Sequence, residues 1–236
     1  MNPTQHSFDR VLARLKRLGR PEVVSVKERR FGIIARDALG IYQKDLKAMA
    51  REIGYDNTLA VRLFDTGVHE ARLLCSKIYD PRHLTGARME RWAKSFDNWE
   101  VCDSFCIGLF SRSRFAVPKA LKWSASDAEL VKRAGFAIMA SYAVANKEAG
   151  DEIYRQFFPA LLREAEDDRK HVRKAVSWAL RQIGKRNARL RVEAIRTARR
   201  ISRLSSGSAR WIAREALREL QDPDLRLLSY PRKKPA

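Results

Sequence analysis

A chain of 236 residues can bury a sizeable core and suits one large domain or two small ones. Hydrophobic residues at 45% and charged residues at 32% exclude a disordered chain. A formal charge of +20, from 48 Lys and Arg against 28 Asp and Glu, points to a polyanionic partner, either nucleic acid or an anionic membrane surface.

Helical periodicity runs through nearly the whole chain, and no segment alternates with a strand's period of two. Ala, Leu and Arg, all good helix formers, abound. The first predicted helices span 6–18 and 22–34, with Gly19, Arg20 and Pro21 between them. Next come 43–53, stopped by Gly54, then 57–67 after Asp56 and Asn57, and 69–79, stopped by Asp80 and Pro81. Helices over 84–95 and 98–110 follow, the second opened by Asp97 and Asn98. Then come 114–122 and 127–146, separated by Ser124–Ala125–Ser126–Asp127, where Ser126 and Glu129 have capping-box spacing. The last four span 151–165 after Gly150, 168–184, 188–204 after Asn187, and 208–220 after Ser205–Ser206–Gly207–Ser208.

So many short helices with short connections predict an all-α fold of stacked helix pairs, an α-solenoid whose repeats are degenerate. A four-helix bundle fits worse, because the segments are too many and too short. The pattern is read as one domain over 1–228, followed by a flexible basic tail over 229–236, SYPRKKPA. The N-terminal MNPTQHSFDR has no apolar leader core, and no apolar run is long enough to span a bilayer. Cys75, Cys102 and Cys106 lack framework spacing, which argues for a reducing compartment. Cys102 and Cys106 share a helix face, but no histidine or further cysteine nearby completes a zinc set, so they read as buried core thiols. A soluble, intracellular protein is the expectation. His6, His83 and His171 have no partner at ligand spacing, and Walker, GxGxxG, GxSxG and CxxC motifs are missing.

The charge is concentrated. Between Arg169 and Arg203 stand 13 Lys or Arg against one acid, Glu193, a net of +12 that leaves +8 for all other residues. Within 168–184, at about 100° per residue, Val172, Ala175, Val176, Ala179, Leu180 and Ile183 form a core stripe. Lys170, Lys174, Trp178, Arg181 and Lys185 gather on the opposite side. A large aromatic amid cations either packs between two helical layers or lies on a nucleic-acid surface, where cations hold phosphates and the ring packs on sugar or base. Periodicity alone leaves both readings open.

In NWEVCDSFCIGLF, 98–110, Val101, Phe105 and Leu109 make one apolar face, and Trp99, Asp103, Cys106 and Phe110 the other. Such a helix is central and largely buried. A carboxylate at Asp103 is costly there unless it is ion-paired or lines a polar cleft. Arg133 shares its helix face with Ala137, Ala140 and Val144, small residues that admit either another helix or a DNA strand.

Four stretches are similar to the AlkD-like DNA alkylation repair glycosylases, a family of HEAT-like repeats. HEARLLCSKIYDP, 69–81, resembles the family's His-Glu-x-Arg helix, and WAKSFDNWEVCD, 92–103, its Trp-x-x-x-Asp segment. VKRAGFAIMA, 131–140, and KHVRKAVSWALRQIGKRN, 170–187, resemble its arginine and tryptophan helices. The order and spacing of the four are the specific part, and the likeness extends from about Phe31 to Leu220.

The resemblance implies a solenoid curved around duplex DNA with a concave basic cleft. It implies excision of cationic N3- and N7-alkylated purines without drawing the base into a pocket. Carried over residue by residue, Trp99, Asp103 and Trp178 match the groups that contact the deoxyribose, and Arg133 matches the arginine holding the nearby backbone. Lys170, Lys174, Arg181, Lys185 and Arg186 are expected to bind DNA phosphates. Asn98, in place of a second aromatic, and Phe31, where a tyrosine is expected, depart from the family pattern.

No metal or cofactor is required by this chemistry. The implied partner is double-stranded DNA containing alkylated bases, bound by a monomer with no membrane and no obligate protein partner, in a bacterial-type cytoplasm. The family also includes branches that bind unusual DNA structures without excising bases. A non-catalytic scaffold for branched or distorted DNA is therefore the rival reading, and a protein–protein scaffold a third, disfavoured by the charge.

Overall fold

The computed structural model describes residues 7–231; His6 and residues 232–236 of the basic tail lie outside them. Among the described residues all regular structure is helical, and no helix is long and apolar enough to cross a membrane. The helices form two compact units, Met1–Leu109 and Phe110–Ala236. The sequence has no Pro-, Gly- or Ser-rich linker at that boundary, so only the packing reveals it.

The first unit holds α1 (Phe8–Leu18), α2 (Pro21–Phe31), α3 (Gln43–Ile53), α4 (Asn57–Asp65), α5 (His69–Ile78), α6 (Gly86–Lys94) and α7 (Trp99–Gly108). Side-chain oxygens open several of them by accepting the unpaired N–H groups of a first turn. Ser7 accepts from Arg10 N, Asp56 from Leu59 N, and Thr85 from Arg88 N. Asn98 accepts from both Glu100 N and Val101 N. Gly32, at φ 64°, closes α2 in the left-handed conformation that only glycine adopts without strain. The core centres on Trp92, fully buried, whose ring meets Tyr79 and Phe105 edge-on at 5.2 Å and Phe64 at 5.3 Å. Cys75, Cys102 and Cys106 are buried in this unit, as expected of core thiols.

The second unit holds α8 (Ala116–Trp123), α9 (Glu129–Ala145), α10 (Asp151–Arg155), α11 (Phe158–Arg163), α12 (Lys170–Gly184), α13 (Ala188–Ile201) and α14 (Gly207–Leu220). At its centre α9 buries every residue from Val131 to Ser141. Gly135 sets the approach of α8, since a Cβ there would lie 2.6 Å from the backbone nitrogen of Ser124. Asn187 caps α13 by accepting from Leu190 N, and Ser206 caps α14 by accepting from Ala209 N.

Three local expectations are corrected. The helix expected over 151–165 is broken into α10 and α11, because Pro159 has no N–H and its ring collides with the carbonyl four residues back. Ser126 does not cap α9. Its hydroxyl accepts from Ala128 N, and α9 begins only at Glu129 with Ala128 at the cap. Tyr230, within the expected flexible tail, is packed, because its N donates to Arg186 O and its side chain is buried.

Candidate nucleic-acid interface

In the first unit the site residues sit at the start of α7, which a polar network holds in place. Glu70, fully buried, accepts from the backbone N–H groups of Leu39 (2.7 Å), Gly40 (2.9 Å) and Ile41 (3.2 Å), fixing the loop before α3. Glu100 takes contacts from Lys27 Nζ at 3.0 and 3.2 Å, Gln43 Nε2 at 3.0 Å and His69 Nε2 at 2.9 Å. Burial by itself would raise the Glu100 carboxyl. The His69 hydrogen bond, the Lys27 charge and Gln43 outweigh it and hold the group down at about 2. Arg72 donates to Asp97 Oδ2 at 2.9 Å and Ser95 O at 2.7 Å, with its guanidinium 4.9 Å from the Phe64 ring. The His-Glu-x-Arg helix is thus the brace of the Trp99 helix. His69 and Arg72 grip the turn over 95–100, and Glu70 grips the loop beside it.

Trp99 is partly exposed, and its indole N–H donates to the carbonyl of Phe31 at 3.1 Å. Phe31 is the last residue of α2, where carbonyls lack helical partners. The backbone there orients the tryptophan, while the Phe31 ring is 48% exposed and stacks with Arg30. Asn98, the second departure from the family pattern, is buried as the α7 cap and also donates to Asp97 Oδ1 at 2.9 Å. Asp103 lies one turn beyond Trp99 on the same face and is partly exposed, not sealed in the core. Val101, Cys102, Phe105 and Cys106 form the buried side, so Cys106 departs from the Trp99 face to which the sequence assigned it.

In the second unit the core stripe of α12 is fully buried as expected, from Val172 through Ile183. Lys170 and Lys174 are exposed, and Trp178 is partly exposed between them and Arg181. Trp178 is therefore not sealed between helices. Arg181 and Lys185 both contact the carboxylate of Glu219 on α14. Burial pushes Glu219 up, but the hydrogen bonds from Lys185 and Arg181 more than offset it and lower the group. Glu219 is a neighbour of the candidate surface that the sequence did not reveal, because it lies 34 residues beyond Lys185. Arg173, on α12, stacks 5.0 Å from the Trp211 ring.

Arg133 is 6% exposed and donates from Nη1 to His171 O at 2.7 Å, on the first turn of α12. Ala137 and Ala140 are fully buried. Of the two readings open for this face, helix packing is the one the geometry fits. His171 is held below its ordinary value by burial first and then by the Arg133 charge, with Lys170 and Lys174 adding to the effect. Asp167 anchors the helix start. Arg169 hydrogen bonds draw it down to about 2 against its partial burial, Lys132 contributes at 3.1 Å, and Ser208 Oγ donates to its carbonyl at 2.7 Å.

Arg186 is a correction. Expected on the DNA-binding surface, it is 0% exposed. Its guanidinium donates to the carbonyls of Ala143 and Ala149 and lies 4.0 Å from the Tyr154 ring and 5.1 Å from that of Tyr230. Two carbonyls and two aromatic faces compensate the buried charge, with Nε left without a hydrogen-bond partner, and Arg186 ties α9, the 146–150 loop and the C-terminal segment together.

A solved structure of a new family of proteins related to the HEAT-like repeat DNA glycosylases, with affinity for branched DNA structures, superposes on the chain with a TM-score of 0.74. The match covers 96% of this chain and 100% of that one at 19% identity, which defines the fold as an α-solenoid of HEAT-like repeats. No curated protein sequence matches the chain. The family model for the DNA alkylation repair enzyme matches residues 11–220, and the chain belongs to that family.

Proposed function

We propose that this protein excises cationic N3- and N7-alkylated purines from duplex DNA by hydrolysing the N-glycosidic bond. The observation that carries the reading is α7, where Trp99 is oriented by the Phe31 carbonyl and Asp103 follows one turn later, partly exposed. The family membership supports it.

An N3- or N7-alkylated purine carries positive charge and leaves without being protonated. As the C1′–N bond breaks, its electron pair goes to the purine, which becomes neutral, and positive charge passes to the sugar. Asp103 as carboxylate stabilises that oxocarbenium-like sugar and positions a water, whose oxygen bonds to C1′ while its proton passes to solvent. Trp99 supplies an aromatic face to the deoxyribose, strongest while the sugar is cationic, and Trp178 presents another to DNA among the cations of α12. Lys170, Lys174, Arg181 and Lys185 neutralise phosphates. Arg133 acts as a positioning residue by holding the first turn of α12.

The second reading is a scaffold that binds branched DNA without chemistry. It is supported by the branched-DNA affinity of the solved relative and by Asn98, which spends its side chain as a cap where the family pattern has an aromatic. Incubation with alkylated duplex DNA, followed by measurement of released base and abasic sites, decides between them. Released 7-methylguanine or 3-methyladenine selects the glycosylase; a gel shift on intact and branched DNA without release selects the scaffold.

A further inference from the structure

A second basic surface in the Phe110–Ala236 unit shares no residue with the α12 stripe. Helices α10, α11 and α13 border an open groove of about 510 Å³. Arg155 and Arg163 line one side and Arg196 and Arg200 the other, over an apolar floor that includes Phe158 and Leu162. Glu193 is the acid among the lining residues, and Arg155 Nε already engages it at 3.0 and 3.3 Å. Arg163 is committed to Glu164 Oε1 at 2.6 Å and Ser124 Oγ at 3.2 Å. Arg196 and Arg200 are exposed, and among the described residues neither side chain takes part in a hydrogen bond or ion pair. The opposite edge of α13 belongs to α14, where Arg191 donates to Leu220 O at 2.6 Å and Asp222 O at 2.9 Å. The groove and the Lys170–Lys185 stripe are therefore separate cationic surfaces.

We infer that this groove binds the sugar–phosphate backbone of a second DNA arm, so that one molecule holds two arms of a branched DNA. Arg196 and Arg200 stand one turn apart, about 6 Å along the helix axis. That span is comparable to the separation of neighbouring phosphates on one strand, which exceeds their axial rise of roughly 3.4 Å because the strand winds around the duplex axis. Guanidinium forks pair with phosphate oxygens, and the apolar floor suits the faces of the deoxyriboses between them. The α12 stripe has its own counter-charge in Glu219, whereas Glu193 in the groove is engaged by Arg155 and no acid among the described residues forms an ion pair with the α13 pair. The inference rests on the DNA-binding reading above, which also favours DNA over an acidic protein as the occupant.

The test uses the full-length chain with Arg196→Ala/Arg200→Ala, a charge-preserving Arg196→Lys/Arg200→Lys control, and Lys170→Ala/Lys174→Ala. Each is titrated by fluorescence anisotropy against an immobile four-way junction and a linear duplex of the same arm sequence, from 50 to 200 mM salt. The α13 alanine variant is expected to weaken junction binding at least about fivefold and to flatten its log K against log salt slope by about 1.8, roughly 0.9 per lost phosphate contact. Linear duplex binding changes less than about twofold, and the lysine control keeps the wild-type slope. An unchanged junction slope, equal losses on both substrates, or a wild-type protein indifferent to the junction each overturns the inference. Polyglutamate binding abolished in the alanine variant, with the junction slope unchanged, would assign the groove to an acidic protein instead. The α12 reading fails on a different measurement, the Lys170→Ala/Lys174→Ala variant with linear duplex.

Discussion

Removing Lys170 and Lys174 together tests the phosphate-binding role of α12 most directly. Both side chains are exposed, one turn apart, and changing them disturbs no core contact. If each neutralises one phosphate, the alanine pair flattens the salt slope on linear duplex by about 1.8. Over a fourfold range from 50 to 200 mM, the wild-type protein then loses about twelvefold more affinity than the variant. Arg181 and Lys185 differ, because Glu219 already contacts both and the trio carries one net positive charge. Alanine at both flattens the slope by only about 0.9, and Glu219→Gln, which frees them, tightens binding severalfold at low salt. Anisotropy titrations on one undamaged duplex measure all four proteins. A wild-type slope in the Lys170/Lys174 variant would show that this face does not meet phosphates, and the reasoning would fail.

Four further outcomes are expected. Asp103→Asn lowers single-turnover excision of 7-methylguanine by at least about tenfold with duplex affinity nearly unchanged, because only transition-state stabilisation is lost; equal excision by both proteins would remove Asp103 from the mechanism. Glu100→Gln destabilises the chain by about 2–3 kcal/mol, since it strips the partner from Lys27 and His69 at a site where the carboxylate is 13% exposed. The Glu100 carboxyl is held at about 2, below its ordinary 4.5, so its contribution is full above about pH 4.5 and fades as pH falls toward 2. Denaturant curves for the two proteins should therefore converge over that window, and parallel curves would contradict the network. His171, lowered in the free protein, should rise when phosphates screen its cationic neighbours; affinity would then increase as pH falls through its value in the complex and level off below its free value, and an unmoved imidazole NMR titration in the complex would refute this. Gly135→Ala should cost at least about 1–3 kcal/mol through the forced shift of α8, and a melting curve identical to wild type would mean that the backbone gives way freely.

The helices were legible because the information that makes them is local. The breaks at Gly19–Pro21, Gly54, Asp56, Asp80–Pro81 and Asn187 lie where helices end or begin, and the buried stripe of α12 follows from its 3.6-residue period. The one broken helix, α10–α11, was also written in the chain, in Pro159. The resemblance singled out Trp99, Asp103 and Trp178, and all three are partly exposed. The expectation for Arg186 failed although the period itself, carried three residues past Ile183, returns to the core stripe; what a period does not give is which distant segment lies over a side chain. Here Tyr154 and the returning strand of chain at Leu228–Tyr230 cover the guanidinium.

By itself, then, the sequence determined an all-helical protein, its caps and core stripes, and a positive charge massed between Arg169 and Arg203. Tertiary structure alone decided which of those cations face solvent. Glu219 pairs with Arg181 and Lys185, carbonyls and aromatic rings enclose Arg186, and Arg196 and Arg200 stand open. It also decided that His69, Glu70 and Arg72 brace the Trp99 helix and that a backbone carbonyl at Phe31 aims the indole. The physical reason is the same throughout. Propensity, capping and periodicity act over a few residues, whereas the partner that neutralises or buries a charge is chosen by packing across dozens.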